Sequence, residues 1–212
     1  GSDPRGPMRK AFDDAWKLID EVGQTVLAAC ALFTGEFDAE SVEEIAALPT
    51  DGPSVPTVLL TLQEHSLVST RVRGGRVSFW MLDTIRRFAL GRLDESGRRS
   101  EVEGRFVAWA MRRSDALLSS PPGRARDDEI DASWDNLDAA AQLALERDMT
   151  ACIKVLTAMC SVAGKRRPIA QVAERVVDAW TWLDDTVAPD VQAELLIQSA
   201  TLMTRYGNAH RV

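Results

Sequence analysis

At Leu67 the hydrophobic pattern of this chain changes period, and by Asp83 it has changed back. Leu67 to Val72 and Arg76 to Leu82 are β-rich runs on either side of Arg73-Gly74-Gly75-Arg76, in a chain that otherwise repeats at helical spacing. Gly74-Gly75 supplies the positive φ angles that a two-residue hairpin turn demands. In such a hairpin Val77, Phe79 and Met81 face one side, and Ser78, Trp80 and Leu82 the other. Beyond it Ile85, Phe88, Ala89 and Leu93 recur at helical spacing, so residues 78–93 begin as a strand and finish as a helix. Asp83 is its expected N-cap.

The helices ahead of the hairpin are short. Residues 12–19 form one that buries Phe12, Trp16 and Ile19, and Val22, Val26, Cys30 and Phe33 stripe a second, closed by Gly35 as a left-handed cap. Asp38 caps a third that turns Val42, Ile45 and Ala46 inward. After a Pro- and Gly-rich loop at 48–56, a fourth buries Val55, Val58, Leu59 and Leu62. Helices, a hairpin and a closing helix describe a winged helix over residues 11–97. Residues 1–10, polar and aperiodic, read as an expression scar or a linker.

From residue 98 the pattern is helical throughout. Val102, Phe106, Trp109 and Leu117 mark one helix, and Ile130, Trp134, Leu137 and Ala141 a second. Residues 149–163 form a third, stopped by Gly164 and Pro168. Val172, Val176, Trp180 and Leu183 mark a fourth, and Pro189 opens a fifth that Gly207 ends. Amphipathic helices joined by short turns predict stacked helical hairpins, tetratricopeptide-like in architecture but without that repeat's strict signature. The expected fold class is mainly α: a winged-helix domain with a two-stranded β-hairpin wing, then an α-helical hairpin array over 98–212.

Composition narrows the function. The 212 residues are 45% hydrophobic, enough for a real core, and the net charge of -7 argues against non-specific nucleic-acid binding, though a local basic patch survives within it. Cys30, Cys152 and Cys160 are odd in number and sit in apolar helical contexts, which fits a reducing, cytoplasmic setting better than a disulfide framework. No signal peptide or membrane-spanning run is evident, so no membrane partner is expected.

Catalytic chemistry finds little support. A phosphate-cradling loop needs Gly-x-x-x-x-Gly-Lys-[Ser/Thr] between a strand and a helix. Gly164-Lys165 is followed by Arg166 and lies in a helix-ending turn, lacking the second glycine, the hydroxyl and the strand. His65 and His210 stand far apart. Cys152 and Cys160 are two helical turns apart without further zinc ligands nearby. Paired carboxylates such as Asp13-Asp14, Glu43-Glu44 and Asp127-Asp128 read as solvated helix starts. The expectation is a chain with no catalytic, metal or cofactor-binding residues.

DNA is a closer question. The helix in the recognition position, residues 54–65, has no Lys or Arg, one Gln, and a Glu that would meet phosphate unfavourably. The hairpin carries Arg71, Arg73 and Arg76, and Arg86, Arg87, Arg92, Arg98 and Arg99 follow. A basic wing of this kind suits DNA or an acidic face of another domain.

In order, "MRKAFDDAWKLIDEVGQTVLAACALFTGEFDAESVEEI", "LLTLQEHSLVS", "FWMLDTIRRFALGRLDESG" and "SWDNLDAAAQLAL" resemble one known region. It follows the nucleotide-binding domain in bacterial signal-transduction ATPases of the STAND/NB-ARC class, such as ATP-binding LuxR-type and AfsR-type transcriptional regulators. The likeness covers residues 8–145. It implies that the winged helix packs on a nucleotide-binding domain absent from this chain, so ATP or ADP is expected only with that domain. It also implies that the helical array, truncated here, receives a partner or signal. In distant relatives a Met-His-Asp sequence brings its His to the ADP phosphate. Here Met81-Leu82-Asp83 puts an apolar Leu82 there, which can neither donate a hydrogen bond nor carry charge. That leaves Met81 and Leu82 as packing residues, or Arg86 and Arg87 as the groups that meet the nucleotide or the ATPase domain. "SWDNLDAA" matches the family's acidic-Asn-Leu signature, and there Asn136, beside Trp134, is a candidate contact between the modules, with surface exposure as the alternative. The expected function is a non-catalytic regulatory and protein-interaction module of a larger ATP-dependent regulator. The alternatives are a DNA-binding winged-helix factor acting through its wing, and a free-standing adaptor.

Overall fold

The computed structural model describes residues 5–50, 52–73 and 75–209, which divide into two compact units, 1–105 and 106–212. The first unit carries helices α1 (Arg5–Leu18), α2 (Glu21–Cys30), α3 (Ala39–Ala46) and α4 (Val55–Glu64). They are followed by strands β1 (Ser69–Arg73) and β2 (Arg76–Trp80) and helix α5 (Asp83–Glu95). α1 thus starts inside the stretch expected to be a linker.

α2, α3 and α4 pack on one another because their apolar stripes meet: Val26, Leu27 and Cys30 from α2, Val42 and Ile45 from α3, Val55, Leu59 and Leu62 from α4. Asp38 caps α3 as expected, its carboxylate accepting from Ser41 N at 2.8 Å. Asp20 does the same for α2, accepting from Gly23 N at 2.7 Å. The expected left-handed cap at Gly35 is not formed. α2 stops at Cys30 with right-handed Ala31 as its C-cap, and positive φ is taken instead by Ala47 after α3 and Ser66 after α4. α5 closes the unit against α2, and α1 packs on α5, with Phe12 and Trp16 half-buried, each against the Phe88 ring.

The hairpin is antiparallel, pairing Ser69 with Trp80 through to Arg73 with Arg76, so the turn is the two-residue one the glycines demand. Gly75 has φ 78°, and Gly74 lies outside the described residues. A third backbone partner is hidden from periodicity. Phe37 exchanges both hydrogen bonds with Phe79, at 2.9 and 2.7 Å. The rings of Phe33, Phe37 and Phe79 stack in sequence at 4.8 and 6.2 Å, pinning the base of the wing to the core while Val72 and Val77 stay exposed at its tip.

Helix α6 (Arg99–Ser119) begins in the first unit. Arg105 Nε donates to the Ile45 carbonyl at 2.6 Å, satisfying a carbonyl orphaned at the end of α3. The first unit accordingly extends past the Gly97 turn to Arg105.

The second unit takes the rest of α6 and five further helices. They are α7 (Arg124–Ala132), α8 (Trp134–Leu145), α9 (Met149–Val162), α10 (Ile169–Trp182) and α11 (Pro189–Ala209). α7 and α8 read as one helix in sequence. The break is the single residue Ser133, whose right-handed backbone (φ -90°, ψ -1°) lets Ile130, Trp134 and Leu137 keep helical phase across it. α11 runs past Gly207, because a single glycine lowers helix stability without ending a helix. From α7 onward each helix packs on the next, and α7, α8 and α9 also pack on the next but one, the pattern that stacked hairpins generate. α9 lies at the centre, with Cys152, Ile153, Val155, Leu156, Met159 and Cys160 all buried. Trp180, expected in the core, is partly exposed; its indole N–H donates to Ser199 Oγ at 2.8 Å.

All three cysteines are buried and reduced, and burial raises the thiol pKa of Cys30 well above its usual value and that of Cys152 to about 12. Among the described residues no helix is long and apolar enough to cross a membrane.

Candidate docking and nucleic-acid interface

The surface that a winged helix offers to a ligand is built from α4, the wing and the start of α5. On α4 the Val55, Val58, Leu59 and Leu62 side chains turn inward. That leaves Pro56, Thr57, Leu60, Thr61, Gln63 and Glu64 outward: two hydroxyls, an amide, two apolar side chains and a carboxylate. The outward face has no cation.

The wing arginines do not form one free patch. Arg71 forms an ion pair with Glu36 from the segment before α3, and Ser78 Oγ donates to the other Glu36 carboxylate oxygen at 2.7 Å. The Ser78 hydrogen bond and the Arg71 charge hold the Glu36 carboxyl below its usual range. Arg73 and Arg76 face each other where the hairpin closes, both exposed, and neither forms an ion pair among the described residues.

At the start of α5 the structure corrects the sequence reading. Leu82 holds the N-cap position, exposed and without a side-chain cap bond, and Asp83 is the first residue of the helix. Asp83 cannot act as N-cap from inside the helix. Its carboxylate turns along the first turn to Arg86 and Arg87 instead, each at 2.7 Å. The Arg86 hydrogen bond is the chief cause of a lowered Asp83 pKa, and the carboxylate also suits the positive end of the helix dipole. Arg86 and Arg87 are therefore partly neutralised by their own helix.

A cleft of about 400 Å³ lies in the first unit, lined by Trp16, Gln24, Arg92, Arg98, Val102 and Arg105 among others. Each of its arginines has a partner, although Arg105 Nη2 is buried without one. Arg92 bonds Asp13 at 2.5 Å and Glu95 at 2.7 Å and lies 5.8 Å from the Trp16 ring centroid. Arg98 pairs with Glu101 at 3.4 Å, and Arg105 holds Ile45 and Glu101. Arg92 and Arg98 belong to the basic run noted in the sequence, and the partners that periodicity could not supply are the distant ones, Asp13 for Arg92 and the Ile45 carbonyl for Arg105.

In the second unit Asn136 and Trp134 are both buried, which excludes surface exposure for Asn136. Trp134 carries the Arg167 guanidinium 5.6 Å from its ring centroid, and Arg167 also binds the Asp131 carboxylate at 2.6 Å. The Gly164-Lys165 turn is a connector. Lys165 reaches Asp127 at 3.4 Å and Arg166 reaches Asp128 at 2.5 Å. No group of three His, Cys, Asp or Glu side chains gathers among the described residues, and His210 lies outside them.

The chain is similar to two mycobacterial proteins, "Putative HTH-type transcriptional regulator Rv0890c" of Mycobacterium tuberculosis and "Putative HTH-type transcriptional regulator Mb0914c" of Mycobacterium bovis. Each is 35% identical over 91 residues, 42% of this chain and 10% of the relative. The chain thus spans about a tenth of the length of the curated relatives it matches. No family model and no solved structure matches it.

Proposed function

We propose that this chain is a non-catalytic regulatory segment of a transcriptional regulator, in which the winged helix docks on another protein domain instead of reading bases. The observation that carries this reading is the outward face of α4. Neutralised phosphates supply a large share of DNA affinity, and this face has Thr57, Thr61 and Gln63 beside Glu64, with no cation. The exposed Leu60 there, and Val72 and Val77 on the wing, suit contact with protein. The sequence resemblance to signal-transduction ATPases names the expected partner, a nucleotide-binding domain of the same polypeptide.

The similarity to HTH-type regulators favours a second reading, DNA contact through Arg73 and Arg76 at the wing tip. The two readings part in one titration. With labelled duplex DNA, fluorescence anisotropy is expected to show only weak binding that vanishes as salt rises to about 0.15 M. Sequence-dependent binding that persists there, and is lost in Arg73→Gln/Arg76→Gln, would establish the DNA reading.

A further inference from the structure

The cleft of the first unit lies between α2, the end of α5 and the start of α6, with Trp16 of α1 beside it. Its volume of about 400 Å³ is in the size range of small-molecule sites. Ala28, Ala46, Leu93 and Val102, all buried, give it an apolar floor. Every one of its walls comes from the winged-helix unit, and none from α4 or the hairpin.

The polar groups around that floor form two sets. In the first, Arg98 and Arg105 converge on one carboxylate: Arg98 Nε reaches Glu101 Oε2 at 3.4 Å, and Arg105 Nη1 reaches Glu101 Oε1 at 2.5 Å. Glu101 does not itself line the cleft. A guanidinium has more N–H donors than one carboxylate oxygen can use, and here the surplus is plain. The terminal nitrogens of Arg98 make no bond among the described residues, and Arg105 Nη2 is buried without a partner. A buried cationic donor left without an acceptor is costly, so the site is incomplete as it stands. In the second set, Gln24 Nε2 donates to the carbonyls of Trp16 and Ile19 at 3.2 and 3.3 Å, which leaves Gln24 Oε1 as an acceptor. Net charge does not favour an anion here, because Asp13, Glu95 and Glu101 balance the three arginines. Directed, charge-assisted donors do.

We propose that this cleft binds a small organic anion, a carboxylate or phosphate monoester carried on an apolar or aromatic body. Arg98 and Arg105 take the anionic group, the floor takes the body, and Gln24 Oε1 accepts from a donor on the ligand. This goes beyond the docking reading and does not rest on it. The DNA titration and the test below therefore fail independently.

The test is titration calorimetry on the full chain with 1-naphthoate and 1-naphthyl phosphate, and the tighter of the two names the head group. Inorganic phosphate and 1-naphthylmethylamine are the controls, one lacking the apolar body and the other the negative charge. Saturable binding of at least one naphthyl anion is expected, with Kd below about 1 mM, and both controls weaker by about tenfold or more. Arg98→Gln should weaken the anion by about tenfold or more; its loss removes only the 3.4 Å contact with Glu101, so the fold survives. Thr25→Phe places a ring in the cleft from its α2 wall and should abolish binding. Melting curves like the parent's confirm that both variants fold. No binding of either naphthyl anion, or variants that bind like the parent, would overturn the proposal. An amine that binds as tightly as the anions would overturn it too, as would inorganic phosphate that matches naphthyl phosphate.

Discussion

Two basic stretches, Arg71–Arg76 on the wing and Lys165–Arg167 after α9, look alike as strings of letters and behave differently as structure. In the second, every cation has its own carboxylate on α7: Lys165 with Asp127, Arg166 with Asp128, Arg167 with Asp131. In the first, among the described residues, only Arg71 forms an ion pair, and the wing is held by the Phe37–Phe79 backbone exchange and stacked rings instead. A charge run is a binding surface only where the fold leaves its charges unspent. The wing keeps Arg73 and Arg76; the turn keeps none.

That difference breaks most visibly at the apolar anchor. Phe79→Ala should cost about 3–5 kcal/mol, because the buried ring and its stacking on Phe37 are lost together, and chemical denaturation would read it directly. The turn after α9 has a stereochemical anchor of its own. Gly164 sits at φ 77°, and a Cβ there would lie 3.0 Å from Ile169 Cδ1. Gly164→Ala is expected to cost roughly 2 kcal/mol through strain and contact combined, and a melting temperature equal to the parent's would contradict that account. Next comes Arg167→Ala, which removes the Asp131 pair and the cation over Trp134 for about 1 kcal/mol, an effect that added salt should reduce. Arg73→Ala, by contrast, should leave thermal stability unchanged. If the two arginine variants proved equally destabilising, the contrast between spent and unspent charge would fail.

What sequence made legible follows the same line. The change of period at Leu67, the glycines at 74–75, Asp38 as a cap and the buried faces of α3 and α4 are local signals, each set by residues a few positions apart. Periodicity cannot see a partner far along the chain. The Phe37–Phe79 pairing, Arg105 on the Ile45 carbonyl, Arg92 on Asp13 and the α7 carboxylates opposite Lys165–Arg167 were invisible for that reason. Asp83 failed for a subtler one. A carboxylate at a helix start suits both the cap position and the first turn, and the two nearby arginines decide for the first turn. The candidate site was thus legible as residue types, while which arginines are free depended on tertiary partners.

The smallest effect tests that dependence most closely. Glu36 joins Arg71 to Ser78, and its carboxyl is held below the ordinary 4.5 in the folded state, chiefly by the Ser78 hydroxyl. A carboxyl depressed on folding adds stability that is present above its unfolded pKa and disappears as pH falls through the folded one. Ser78→Ala removes the larger cause, so the melting temperature of the parent should exceed that of the variant at pH 7 and the gap should narrow below about pH 4.5. Other depressed carboxyls, Asp83 and Glu101 among them, titrate in both proteins alike and cancel in the difference. A gap that stays constant down to about pH 3 would mean that Ser78 acts by packing alone. Glu36 would then hold Arg71 through their ion pair alone, without support from the Ser78 hydroxyl.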